Sequence, residues 1–259
     1  LMEGQRIKGI LMENKAGRQA ILAKMVGVNV PVVLDRIGNW GNLKKLVQEE
    51  INRGNLSFDL GINMEFGAPG IHAEKLVYED EINVWSGNLL GMDGTDPRDL
   101  TKAEVITREH VMRMANFLKR NVPGFEKSRI EVTPTQVGVR ATRQIIGKAS
   151  PSPDEVKNKI FDDTVVKPYA HSDMRLPYGS LVPQNVENLL VAGRCISAAD
   201  EIMGQLRLIP VCSATGQAAG TAAALALKQK KAPQNLEVSK LQRILEDQGM
   251  NLGLKRVKQ

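Results

Sequence analysis

Apolar residues at three- and four-residue spacing mark three amphipathic helices along the chain. In NLKKLVQEEINRG, Leu43, Leu46, Val47 and Ile51 share one face, and Gly54 supplies a stop. A longer helix is predicted from Thr101, which has capping-box spacing with Glu104. Val111, Met114, Ala115 and Leu118 form its buried stripe, and Pro123 with Gly124 ends it. The third, LEVSKLQRILEDQGM, aligns Val238, Leu241, Ile244 and Leu245 and closes at Gly249.

Elsewhere the period shortens toward that of strands. RIKGILMENKAGRQAILAK predicts a hairpin turning at residues 14–17, LVYEDEINVW a strand, and RIEVTPTQVGVRATRQIIGK an extended pair. A Pro/Ser stretch opens a short helix in SPSPDEVKNKIF, and LPYGSLVP is rich in turn formers.

From residue 188 the chain reads NLLVAGRCISAADEIMGQLRLIPVCSATGQAAGTAAALAL, and residues 208–227 carry no charge. A membrane helix needs about 20 predominantly apolar residues. Pro210, Ser213, Thr215, Gly216, Gln217 and Thr221 make this run too polar for that, so no membrane span is expected. NLLVAG has the pattern of a buried parallel strand. Such a strand, a loop and then a small-residue helix beginning near Thr215 would aim backbone N–H groups at an anion. Gly216, Ala218, Ala219 and Gly220 would let a ligand approach closely.

Composition narrows the field. Hydrophobic residues at 42% and charged residues at 25% exclude a disordered chain, and 259 residues suffice for one large domain or two. A net charge of +6 admits an anionic partner, but the basic residues are scattered. The two local concentrations are Lys228, Lys230 and Lys231 at a helix end, where they oppose the helix dipole, and Lys255, Arg256 and Lys258 in the tail. Aromatic residues at 4% count against a nucleic-acid stacking surface. Cys195 and Cys212 lie in apolar segments without metal spacing and read as two buried thiols of a reducing compartment, with a disulfide as the alternative; the first reading predicts a cytoplasmic protein. His72, His110 and His171 are far apart in sequence, and no metal site is expected.

Several stretches taken in order carry a family resemblance: GTDPRDLTKAE, FLKRNVPGFE, GVRATRQIIG, PYGSLVP, NLLVAGRCIS, RLIP and GQAAGTAAALA. They resemble the FAD-dependent oxidoreductases related to the fumarate reductase flavoproteins. The resemblance implies an α/β fold with an α+β cap: a glutathione-reductase-type FAD-binding domain interrupted by an inserted substrate or cap domain. It further implies that the NLLVAGR strand and the GQAAG helix flank the flavin. A helix N-terminus there would stabilise the negative charge of the reduced ring. Gly193, Arg194, Gly216, Gln217 and Ala218 are the cofactor contacts so implied, and FAD is the cofactor.

No two of the 23 glycines are separated by a single residue, so the GxGxxG fingerprint that seats the ADP half of FAD is absent. The FAD-binding domain is therefore expected to be incomplete, and the chain to be a fragment of a longer enzyme. The expected division is 1–24 and 176–232 in the FAD-binding domain, 25–175 in the cap, and 233–259 as a C-terminal helix and tail.

On the substrate side, Arg140, Arg143 and Arg207 are candidates to clamp a small anionic molecule for hydride transfer to flavin. Strand alternation places Arg140 and Arg143 on opposite faces. For Arg207 the resemblance implies a role in holding a substrate carboxylate, although Leu208, Ile209 and Pro210 replace the Gly-Gly-Asn that follows in the family. His171 with Asp173, and Tyr178, are candidates for a proton relay, with surface-loop positions as the alternative. A competing reading is a non-enzymatic relative that binds RNA or another polyanion through its basic surface; a homo-oligomer stays open.

Overall fold

The computed structural model describes residues 12–53, 71–86, 89–169 and 173–254. The chain forms two compact units: an inserted one, Ala16–Thr142, and a discontinuous one made of Leu1–Lys15 with Arg143–Gln259. The breaks fall after residues 15 and 142, where the sequence suggests 24 and 175.

The inserted unit owes its sheet to period-two alternation. Strands β1 (Met12–Ala20) and β2 (Leu22–Val26) precede helices α1 (Val30–Ile37) and α2 (Leu43–Asn52). Next come β3 (Ile71–Lys75), β4 (Ile82–Ser86), β5 (Leu89–Leu90), α3 (Pro97–Asn121), β6 (Arg129–Val132) and β7 (Gly138–Ile145). Strand order is β3-β4-β2-β6, antiparallel throughout, with Ala23 opposite Val84 and Met25 opposite Ile82. Ala23, Met25, Ile71, Ala73, Ile82 and Val84 turn inward and share a core with Val33, Leu43, Val47, Met114, Leu118 and Phe125. On polar positions of the same strands, Lys24 pairs with Glu81 at 2.6 Å and Glu131 at 2.7 Å, which ties β2 to both neighbours' ends.

Four expectations for this unit change. Residues 14–17 lie inside β1 rather than in a turn, because β1 is paired on both sides in the order β5-β1-β7 and the ladder overrides local turn propensity. LVYEDEINVW is the loop and second strand of a hairpin: Leu76 N–H donates to the Glu81 carbonyl at 3.0 Å, leaving Val77 and Tyr78 exposed at the tip. Helix α3 starts a turn early, because Asp96 caps it by accepting from the Arg98 N–H at 2.8 Å; Thr101 then donates its hydroxyl to the Pro97 carbonyl. Glu104, freed from capping, pairs with Arg108 and accepts from the Val137 N–H. Helix α1 has no counterpart in the sequence reading; Asn29 caps it and Pro31 occupies its first turn.

The stripe of α3 is as expected, with Val111, Met114, Ala115 and Leu118 all buried. After its end the chain turns at Gly124, whose φ of +95 places it in the left-handed region. A β-carbon at Gly124 would stand 2.6 Å from Val33 Cγ2 and 2.7 Å from the Asn29 carbonyl oxygen.

The discontinuous unit is mainly helical. It holds α4 (Pro153–Asn158), strands β8 (Thr164–Val166) and β9 (Leu176–Pro177), and helices α5 (Met203–Leu206), α6 (Ile209–Gln229) and α7 (Val238–Asp247). Ser152 and Glu155 close a reciprocal capping box on α4. Leu241 and Leu245 of α7 join Val165, Leu176, Ile196 and Ala222 in one core, so the C-terminal helix belongs to this unit.

Here two expectations are corrected. NLLVAG forms no strand; the Val191 N–H donates to the Leu181 carbonyl at 2.9 Å, and no described strand lies beside it to build a parallel ladder. Helix α6 begins at Ile209 instead of Thr215, because Pro210 suits a first helical turn and the Thr215 hydroxyl is absorbed by the Val211 carbonyl at 2.9 Å. Every strand pair with a defined register is antiparallel, so the described residues form a mixed α/β structure. No described helix is long and apolar enough to cross a membrane.

Candidate functional site

NLLVAGR and the uncharged helix do meet. A 3-10 turn at Gly193–Cys195 lies on the first turns of α6, and the Gly193 N–H donates to Thr215 Oγ1 at 3.0 Å. Thr215 is fully buried, so this single hydroxyl both accepts from the turn and donates back into its own helix. Glycine is needed at 193 for its backbone, with φ at +75; a β-carbon there would only touch Cys212 Sγ at 3.9 Å.

Positive charge collects at the same end of α6. Arg207 immediately precedes the helix, and Arg194 sits in the turn packed against it. Burial, and then the Arg194 charge, hold the Arg207 guanidinium below its ordinary value. Its Nε is buried without a hydrogen-bond partner among the described residues. No side chain caps α6 at Leu208, and the first N–H groups of a helix lack intrahelical acceptors. An uncapped helix start beside a guanidinium with an unused donor suits a negatively charged or electron-rich group.

Two thiols stand in this arrangement. Cys195 closes the turn, and Cys212 lies in the first turns of α6; both are half-buried and unbridged. Burial pushes the Cys195 thiol up.

The remaining sequence candidates are dispersed. Arg140 and Arg143 lie on β7, a strand as expected, with Arg143 exposed. His171 lies outside the described residues. Tyr178 is buried, and its hydroxyl donates to the Pro233 carbonyl at 3.0 Å, which anchors it in the core. Burial raises its pKa well above the ordinary tyrosine value. Gly216 and Gln217 are exposed in the second turn of α6, where Gln217 donates to Gln248 Oε1 at 3.0 Å. Ala218 is fully buried in the core.

Sequence reasoning missed the bond from Gly193 to Thr215, having placed Thr215 at the start of the helix. Its signal was a hydroxyl residue directly before a glycine in an uncharged run. A groove of about 790 Å³ lies along the far half of α6, lined by Leu190, Ala219, Ala223, Leu227 and Pro233, with Lys230 and Lys231 among its lining residues; Gly216 does not line it. Among the described residues no His, Cys, Asp or Glu cluster could hold a metal ion.

A family model described as FAD dependent oxidoreductase matches residues 65–245. Neither the curated proteins nor the solved structures contain a match to the chain.

Proposed function

The chain belongs to the FAD dependent oxidoreductase family, and from that premise we propose that the start of α6, with Arg194 and Arg207, faces the electron-rich pyrimidine edge of the flavin. FAD is the cofactor of that family and supplies reversible two-electron chemistry, accepting or returning a hydride. The observation that carries the reading is the uncapped first turn of α6 beside the partnerless buried Nε of Arg207.

Each residue has a separate task. Thr215 fixes the Gly193 turn against α6, so the Arg194 backbone is positioned before any ligand arrives. The first turn of α6 presents partial positive charge. Arg207 has donors to spare, and a guanidinium can clamp a carboxylate bidentately, which favours a small anionic organic substrate. Gly216 and Gln217 offer small or polar exposed surface one turn further on, as further cofactor contacts. The glycine spacing contains no dinucleotide fingerprint, so these residues account for the flavin end of the cofactor and not for its adenosine end. A glutathione-reductase-type domain and a kinship with fumarate reductase flavoproteins are consistent with this division.

Purifying the intact gene product and titrating it with FAD tests the reading. A yellow protein whose flavin spectrum shifts on binding supports it; a colourless product that leaves added FAD unperturbed overturns it.

A further inference from the structure

Cys195 and Cys212, given no role in the flavin reading, lie on two segments that pack together. Cys195 ends the 3-10 turn, Cys212 projects from the start of α6, and the Gly193–Thr215 hydrogen bond holds the two segments together. The backbone at Gly193, two residues before Cys195, runs beside Cys212: a β-carbon placed on Gly193 would stand 3.9 Å from Cys212 Sγ.

Neither sulfur is strongly held. Cys195 contacts the Ala192 carbonyl at 3.6 Å and Cys212 the Leu206 carbonyl at 3.7 Å, weak thiol bonds that bridging would displace at small cost. Both residues are half-buried and unbridged. Short helical segments, Asp200–Ile202 and α5, make up part of the chain between them.

We propose that Cys195 and Cys212 form a redox-active dithiol that closes into an intrachain disulfide by exchange with a low-molecular-weight disulfide. One thiolate attacks a sulfur of the reagent, forming a mixed disulfide and releasing one thiol. The second protein thiolate then attacks the mixed disulfide, closing the bridge and releasing the other thiol. Two protein thiols are oxidised, one reagent disulfide is reduced to two thiols, and excess thiol reverses the process. The bridge would clasp the Gly193 turn to α6 beside Arg207. The inference rests on packing of the turn against α6 and is independent of the flavin reading.

Trypsin cuts after Arg194, Arg207 and Lys228, so the two cysteines fall in adjacent peptides, 195–207 and 208–228. The native protein is incubated in glutathione buffers of increasing oxidised fraction, alkylated, digested and analysed by mass spectrometry without reduction. The expected product is the two peptides joined, lighter by two hydrogens than their sum, rising with the oxidised fraction and lost after reductant. In Cys195→Ser and Cys212→Ser, the remaining cysteine is expected to stop at the mixed disulfide with glutathione. Two separately glutathionylated cysteines in the native protein, or two thiols that stay open to alkylation, would overturn the proposal. A joined species that persists in either variant would overturn it too.

Discussion

Gly193 donates its backbone N–H to the buried hydroxyl of Thr215 at 3.0 Å, and through that bond the turn carrying Arg194 and Cys195 is fixed to the helix that Arg207 introduces. The two sequence segments most suggestive of cofactor binding are thereby joined by one side chain. Thr215→Val keeps the shape and removes the acceptor. The expected loss is about 1 kcal/mol of stability, the usual net value of one such hydrogen bond. Chemical denaturation measures it, with Thr215→Ser expected to retain most of the stability.

Gly124 sets the turn after α3 in the inserted unit. Its φ of +95 and the 2.6 Å approach of a β-carbon to Val33 Cγ2 leave no room for a side chain. Gly124→Ala is expected to cost on the order of 1–3 kcal/mol or more, by backbone strain together with overpacking. The thermal midpoint should fall, whereas the same substitution at half-buried Gly204, where a β-carbon meets nothing within 4 Å, should change it little.

His110 lies in the core face of α3, and burial, then the Arg113 charge, lower its pKa from 6.5 to about 4. Its neutral form is favoured in the folded state, so the unfolded chain binds the extra proton between those values. Stability should be fully present above pH 6.5, fall as pH drops toward 4, and level below it, by an amount on the order of 3 kcal/mol. Denaturation midpoints across that window read the slope, and His110→Leu should flatten it.

The helices were more legible than the strands, and for a physical reason. The stripe of α3 is a property of local spacing, so Val111, Met114, Ala115 and Leu118 can be read without tertiary knowledge. Whether residues 14–17 turn or extend depends on partners in β5 and β7, far along the chain. NLLVAG shows the same dependence from the other side: its composition favours a strand, but a strand exists only where another lies beside it. At the site, the nearness of NLLVAGR to the uncharged helix was legible. The register of that helix was not, because Thr215 suits a cap as well as it suits back-bonding to Val211. Moving the start to Ile209 shifts the weight of the site from Gly216, Gln217 and Ala218 to the end beside Arg207.

Tyr178→Phe separates a core anchor from a proton relay. The hydroxyl bond to the Pro233 carbonyl should be worth about 1 kcal/mol in denaturation. Flavin reduction rates and their pH profile should be unchanged beyond that; a profile that loses one ionisation would restore Tyr178 as an acid or base.

The midpoint potential of bound FAD, measured in the native protein and in Arg207→Gln, tests the central claim most directly. With the flavin at the proposed place, positive charge at the start of α6 would stabilise the reduced ring, so removing one guanidinium should lower the potential by on the order of 30 mV, about 1.4 kcal/mol for a two-electron couple. An unchanged or higher potential in a variant that still binds FAD would contradict the placement of the flavin at this end of α6.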